Sequence, residues 1–514
     1  MKLLPVFRSL LCAMLFPFAG SAWAAGVTVI THGFNGNVTS WVIPMANAIA
    51  AAPDLPGTTS SCFRISLTQD GSGQTVATAT FLGGVAPSAS DSGEILIKLD
   101  WSTISGGEVS TSAVASAAVN ALLSTTLIPQ MDGRALVELP LHLVGHSRGG
   151  SVISEMARLL GARNVWVDQV TTLDPHPVSF LGDADVATYT NVLYADNYWQ
   201  TLGDDILVPN GQFVSGAYNR KLLNLNGSYS SPHSDVHLWY HGTIDLATPA
   251  TDTQATIGAA QRSAWWTTAE AGGAATGFLL SAIGGGDRLS NAEPAGVGNG
   301  RIKDGFNRRW DFGGGVASNR TALPANNGLW PNVIRVLRAD TNPVVTGDTL
   351  DLTMIQQSGA DNLGTVNVRT YLDTNFNPYD GTGTQLDART LDTTGTSVVA
   401  TSRSTPAVNV APGTYPLCTR IAIGTRVRYL YLHDPIVVVG PPAVDARTLT
   451  RLAGGQIRFR VNGATGLTVN LMASTNLTTW TQIATQTLAG TTWDFTDTAA
   501  GTFSKRFYKA VAGP

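Results

Sequence analysis

The stretch with the clearest chemical potential is Leu141-His142-Leu143-Val144-Gly145-His146-Ser147-Arg148-Gly149-Gly150. It holds the pattern G-x-S-x-G, at Gly145, Ser147 and Gly149. An apolar run enters the pattern. A helical spacing of Val152, Ile153, Met156, Leu159 and Leu160 leaves it. A strand–turn–helix of this kind lifts a serine hydroxyl out at a sheet edge. It needs glycine on both sides because the turn is tight and a Cβ would crowd the strained backbone. Ser147 is therefore the candidate nucleophile. The helix that starts behind it adds positive potential, and the Arg148 N–H is a candidate oxyanion donor. The Arg148 side chain is read as solvated or as pinning a loop. A second donor should follow an early strand. Val27-Thr28-Val29-Ile30-Thr31 runs into His32-Gly33-Phe34, which makes the Phe34 N–H the candidate. His32 is read as a loop-packing residue.

A serine nucleophile needs a base, and the base needs an orienting acid. One known chain order is serine, acid, histidine. Val170-Thr171-Thr172-Leu173-Asp174-Pro175 places Asp174 at the end of the next strand, where Pro175 stops it. Asp196, at the end of Val192 to Ala195, is the rival. Of the histidines after Asp174, His176 is too close in sequence to return from another loop. His233, His237 and His241 follow in Ser231 to Gly242. With Ser234 or Asp235 as N-cap, His233 lies on the loop just before a helix, the expected place for the base. His237 and His241 would share one helix face. They lack a third ligand pattern and H-E-x-x-H, so no metal site is expected.

These residues need elements to hold them. From residue 27 to about 250, apolar strand-like runs alternate with Ala-rich helical ones, which predicts a mostly parallel sheet with helices on both faces. Residues 250 to 330 read as a glycine-rich extension. It carries a helix-like piece at Gln254 to Glu270 and glycine runs at 284–286, 296–300 and 313–315. From about Val333 the period becomes two, with Gly, Pro, Asn and Asp between short strands, as in β-sandwiches. Gly440-Pro441-Pro442 is a stiff linker. The expected division is a signal peptide at 1–24, a catalytic unit at 25–332, an Ig-like sandwich at 333–440 and a fibronectin-like module at 447–514.

With these motifs in order, the chain resembles the pancreatic-lipase-like branch of the α/β-hydrolases over residues 27 to roughly 250. The matches are His-Gly-Phe at 32–34, the Gly-His-Ser-x-Gly elbow at 145–149, Leu-Asp-Pro at 173–175 and a histidine with an aromatic-bearing helix at 233–240. The resemblance implies an α/β class and favours Asp174 over Asp196. The disulfides of that family are missing, and Arg148 stands where it usually has an apolar residue. The C-terminal modules resemble sandwiches appended to exported bacterial enzymes, which space the enzyme or dock it on a surface or polymer.

Composition narrows the partners. Charged residues are 13% of the 514, and the net charge is −4. No basic surplus exists to neutralise phosphates, which speaks against nucleic acid. No internal apolar run is long enough for a transmembrane segment. Lys2 and Arg8, an apolar stretch and Ala22-Trp23-Ala24 predict cleavage near Ala24 and export, secreted, periplasmic or on the cell surface. Cys62 and Cys418 then remain, too few for a disulfide scaffold. Asp373 to Gly381 alternates oxygen side chains as a Ca²⁺ loop would, but a hairpin turn is the simpler reading. The expected function is an exported serine esterase or lipase with the triad Ser147, Asp174 and His233, the oxyanion donors Phe34 and Arg148, and no cofactor. A cutinase-like or polyester-depolymerase-like enzyme is the neighbouring alternative. A non-catalytic surface-binding protein on a hydrolase scaffold is the alternative of another class.

Overall fold

The computed structural model describes residues 26–51, 59–89, 92–107, 109–203, 209–223, 225, 231–244, 277–278, 281, 320–323, 330–331, 334–356, 365–392, 399–432 and 435–513. The expected signal peptide at 1–24, the helix-like piece at 254–270 and the glycine runs at 284–286, 296–300 and 313–315 lie outside them.

Eight strands form the first sheet. They are β1 (Val27–Thr31), β2 (Thr59–Gln69), β3 (Thr75–Gly83), β4 (Ser92–Asp100), β5 (Leu141–His146), β6 (Val167–Leu173), β7 (Val192–Trp199) and β8 (Tyr218–Lys221), in the spatial order β3-β2-β4-β1-β5-β6-β7-β8. Within it, β2 and β3 pair antiparallel, and the remaining neighbours run parallel. Every residue of β1, β5 and β6 is buried, as strands covered on both faces must be. Edge strand β3 instead alternates half-buried and exposed residues. Helices α1 (Val42–Ala50) and α4 (Pro232–Gly242) cover one face through Val42, Met45, Ile49, Val236 and Trp239. Helices α2 (Thr111–Leu123) and α3 (Arg148–Gly161) cover the other through Val114, Leu122, Val152, Met156 and Leu160.

The expected α/β class does not describe this chain. Strand makes up 42% and helix 18%, so the protein is mostly β. Among the described residues, four of the six sheets are antiparallel throughout, and a fifth is a three-stranded mixed one. Part of the reason is local. Between β6 and β7 the described chain makes a short 3-10 turn at Ser179–Leu181 instead of a helix. Pro175 and Pro177 open that crossover, and each removes a backbone donor and disfavours helix before it.

From Ile334 onward the described chain is β-sandwich. Strands Thr365–Leu372, Thr384–Asp392, Leu417–Ile423 and Arg426–Tyr431 make one sheet, and Ile334–Ala339, Thr349–Gln356 and Val399–Ala407 make the facing one. Leu350, Leu352 and Met354 from the second sheet share a core with Val366, Val368, Leu417 and Ile421 from the first. A smaller pair of sheets after Ala443 closes on Phe459, Val461, Val469 and Leu471. Cys62 and Cys418 are both free thiols, and Cys418 is buried.

The larger sandwich is seated against the first sheet. Arg428 is fully buried. It donates to the Val137 and Leu139 carbonyls, to the Trp166 carbonyl at 3.1 Å, and approaches Asp168 at 3.5 Å. These partners precede or begin β5 and β6, so contact is at the N-terminal ends of the strands. The 373–381 loop helps. Asn377 donates to the Ala89 carbonyl, and the Tyr379 hydroxyl donates to Glu138 at 3.3 Å with Arg134 over its ring. Burial raises the Glu138 carboxyl, which suits an acid held against a buried phenol. Asp373 accepts from Tyr431 and the Thr374 N–H, while Asp380 accepts from Asn375 and Thr382. The acidic side chains of the loop thus close a hairpin turn upon themselves.

Candidate active site

Ser147 stands between β5 and α3 with φ +56°, a conformation that costs a non-glycine residue on the order of 1–3 kcal/mol. The glycines around it have specific reasons. A Cβ on Gly145 would lie 2.4 Å from the Gly149 carbonyl oxygen, and one on Gly149 would lie 2.4 Å from the His32 carbonyl oxygen. The crowding is therefore against neighbouring carbonyls rather than against the Ser147 backbone. A Cβ on Gly33 would meet the Ser147 Cβ at 2.7 Å and its Oγ at 3.1 Å. The loop after β1 thus passes directly over Ser147. Phe34 follows in that loop. Arg148 opens α3, so its N–H is among the first-turn donors that a helix leaves without an intrahelical acceptor. Both candidate oxyanion donors therefore lie at the C-terminal edge of the sheet, beside Ser147.

Asp174 follows β6 and also takes positive φ, +45°. Its Oδ2 accepts from His233 Nδ1 at 2.6 Å. The far ring nitrogen, Nε2, is thereby left as the one that can serve a hydroxyl. His233 is the second residue of α4, because Ser231 is the N-cap and Pro232 the first helical residue. The helix begins about a turn earlier than the sequence reading placed it. His233 is flanked by the chain neighbours of Ser147 and Asp174. The His146 ring lies 4.5 Å from its ring, and His176, whose N–H donates to the Ser147 carbonyl, lies 6.4 Å away. His146 Nε2 also donates to the His233 carbonyl at 2.9 Å. The rival acid Asp196 sits within β7 opposite Thr171, two register positions short of the edge, and accepts from Thr171 and Tyr198.

The electrostatics favour neutral imidazoles. Burial pushes His233 and His237 well below the usual histidine range and His146 down to about 3. Burial raises the Asp174 carboxyl, and Gln200 donors oppose that rise. A neutral His233 is the form that can accept a proton. His237 stacks on Trp41 at 4.5 Å and lies 4.7 Å from His146, a packing role inside α4. His32 is fully buried, stacks on Trp101 and accepts from its N–H. Arg148 is also fully buried. It forms a two-pronged pair with Asp183 at 2.6 and 2.7 Å and donates to the Ser105 and Val109 carbonyls, so it ties two loops together. No cluster of His, Cys, Asp and Glu suited to a metal occurs among the described residues.

Comparison with known proteins adds little. No family model matches, and no curated protein matches. Among solved structures, the chain aligns with the BSP domain of a biofilm-associated protein at 16% identity and TM-score 0.14, covering 35% of this chain and 27% of that one. It aligns with a Salmonella alpha-2-macroglobulin mutant at 11% identity and TM-score 0.14, over 35% and 15% of the chains. It aligns with the calcium-binding domain CBD12 of CALX1.1 at 9% identity and TM-score 0.14, over 33% and 71%. The chain thus spans about a quarter of the first of these. At such scores none bears on fold or activity. The expected membership of the pancreatic-lipase-like α/β-hydrolases is corrected accordingly: a strand-dominated chain with no matching family model does not carry it.

Proposed function

We propose that this protein is an exported serine hydrolase of carboxylic esters with an apolar, lipid-like portion. The observation that carries the reading is the 2.6 Å contact from His233 Nδ1 to Asp174 beside a serine held at positive φ under an overlying loop. In this reading Ser147 Oγ attacks the ester carbonyl while His233 Nε2 takes its proton. The tetrahedral oxyanion is held by the Phe34 and Arg148 N–H groups. His233 then protonates the leaving alcohol, and water repeats the sequence on the acyl-enzyme. Asp174 fixes the imidazole tautomer and stabilises its cation. The rim supports an apolar substrate. Phe34, Phe180, Leu202, Phe213 and Leu223 are all substantially exposed, Phe180 at 77%, on loops that leave the C-terminal ends of β1, β6, β7 and β8. Exposed apolar groups gathered around a site mark a ligand or surface contact.

The test is hydrolysis of a short-chain p-nitrophenyl ester by wild type and Ser147→Ala. The variant should fold normally and lose roughly 10³-fold or more in rate, because the triad acts as a unit. Equal rates in the two purified proteins would remove the enzymatic reading and leave a non-catalytic binding protein. A polymer esterase would share the triad. Loss of activity on a polyester film, with soluble-ester activity intact, in variants of the exposed rim would favour it.

A further inference from the structure

We propose that Gln200 is a positioning residue for this reaction, holding the Asp174 carboxylate in the orientation that aims His233. The inference rests on the serine-hydrolase reading above. Gln200 follows β7 directly and is fully buried. Its Nε2 donates to Asp174 Oδ2 at 2.8 Å, and its backbone N–H donates to Asp174 Oδ1 at 2.9 Å. One residue thus engages both carboxylate oxygens, while His233 shares Oδ2.

The orientation of the amide is fixed by its other partners. Gln200 Oε1 accepts from the Leu202 N–H at 2.5 Å and the Gly203 N–H at 3.2 Å. Those are donors, so the oxygen must face them and the NH₂ must face Asp174. The second NH₂ hydrogen goes to the Pro209 carbonyl at 3.0 Å. Every hydrogen-bonding group of this side chain is therefore engaged, and none is spare to rotate. The chain returns at Gly211, where a Cβ would lie 2.1 Å from Asp174 Oδ1. Only glycine fits that approach. The carboxylate is clipped between the two ends of the segment that follows β7, and it is not held by β6 alone.

Two consequences separate positioning from mere packing. Donors to a carboxylate favour its ionised form and here oppose the burial that raises Asp174. Substituting the side chain removes the Nε2 donor and leaves the backbone N–H, so the acid keeps its proton to higher pH. Since the orienting group must be ionised, the acid limb of activity should move to higher pH. The carboxylate should also swing away from His233 Nδ1.

The experiment uses the full-length protein with Gln200→Met, similar in length but without donor or acceptor, and Gln200→Glu, which sets an oxygen against Asp174. Soluble-ester kinetics are recorded against pH beside wild type and Ser147→Ala. We expect kcat at neutral pH to fall about ten-fold or more, with KM within about two-fold. We expect the acid limb of kcat/KM to rise by roughly one pH unit in each variant that folds. The low-field proton resonance of the His233 Nδ1–H···Asp174 bond should weaken in parallel. An acid limb that stays at its wild-type position in a folded variant overturns the proposal, whatever happens to kcat. If Ser147→Ala is inactive and that limb is unmoved, the role of Gln200 alone fails. If Ser147→Ala is fully active, the reaction itself is wrong and the proposal goes with it.

Discussion

His233 and His237 lie one helical turn apart and both face the His146 ring, but their other partners differ. His233 Nδ1 reaches a carboxylate, whereas the His237 ring lies against Trp41 and His146. His233→Ala should therefore match Ser147→Ala in lost activity at nearly unchanged melting temperature. His237→Ala should retain measurable turnover but melt earlier, because it empties space in a close-packed core. Rates and thermal melts on both variants decide this, and the reverse pattern would assign the base to His237. The types and order of Ser147, Asp174 and His233 were legible in the sequence, because each lies in a local pattern: an elbow, a strand stopped by proline, a capped helix. Gln200 and Gly211 were not. Nothing near either residue marks it, and each acts through a partner more than 25 positions away. The helix start was legible and misread, since Ser231-Pro232 carries both an N-cap and a first-turn proline.

The turn between β5 and α3 is set by close carbonyls as much as by the serine. Gly149→Ala would push a methyl to 2.4 Å from the His32 carbonyl oxygen, which belongs to the loop that also carries Phe34. Moving that loop should cost both stability and oxyanion binding, so kcat should fall by about ten-fold or more together with the melting temperature. A variant with wild-type kcat would show that the loop yields elsewhere. The individual strands of the first sheet were largely readable from apolar runs. Strand β3 was not, because its Thr75–Gly83 stretch alternates Thr and Ala in a half-exposed edge with weak hydrophobic contrast. The balance of helix and strand was also misjudged. Crossovers interrupted by Pro175 and Pro177 look much like helix-bearing ones when only the strands are read.

The sandwich and Ser147 occupy opposite ends of the same strands. Arg428 grips the N-terminal ends of β5 and β6, and Ser147 and Asp174 leave their C-terminal ends, about 20 Å away for a six-residue strand. The module therefore braces the first sheet without reaching Ser147 or Asp174. Arg428→Ala leaves Asp168 and three carbonyls without a buried cation, and removing one partner of such a pair costs about 3–5 kcal/mol. We expect a clearly lower melting temperature with soluble-ester kcat within about two-fold of wild type. Truncation after Asn332 should behave alike, exposing the same groups to water. Collapse of kcat in a folded Arg428→Ala protein would show that the brace shapes the site. The period-two strands of this half were readable. The seat was not, since its decisive pair joins residues 260 positions apart.

The two thiols bear on the conditions under which the chain can fold. The chain has three cysteines, one of them in the expected leader, and the remaining Cys62 and Cys418 are unbonded, one in the first sheet and one in the sandwich. Among the described residues, each unit closes its own apolar interior with no disulfide between or within them. Folding then has no oxidative step to wait for, and the same native state is open to the chain in a reducing cytosol as in an oxidising envelope.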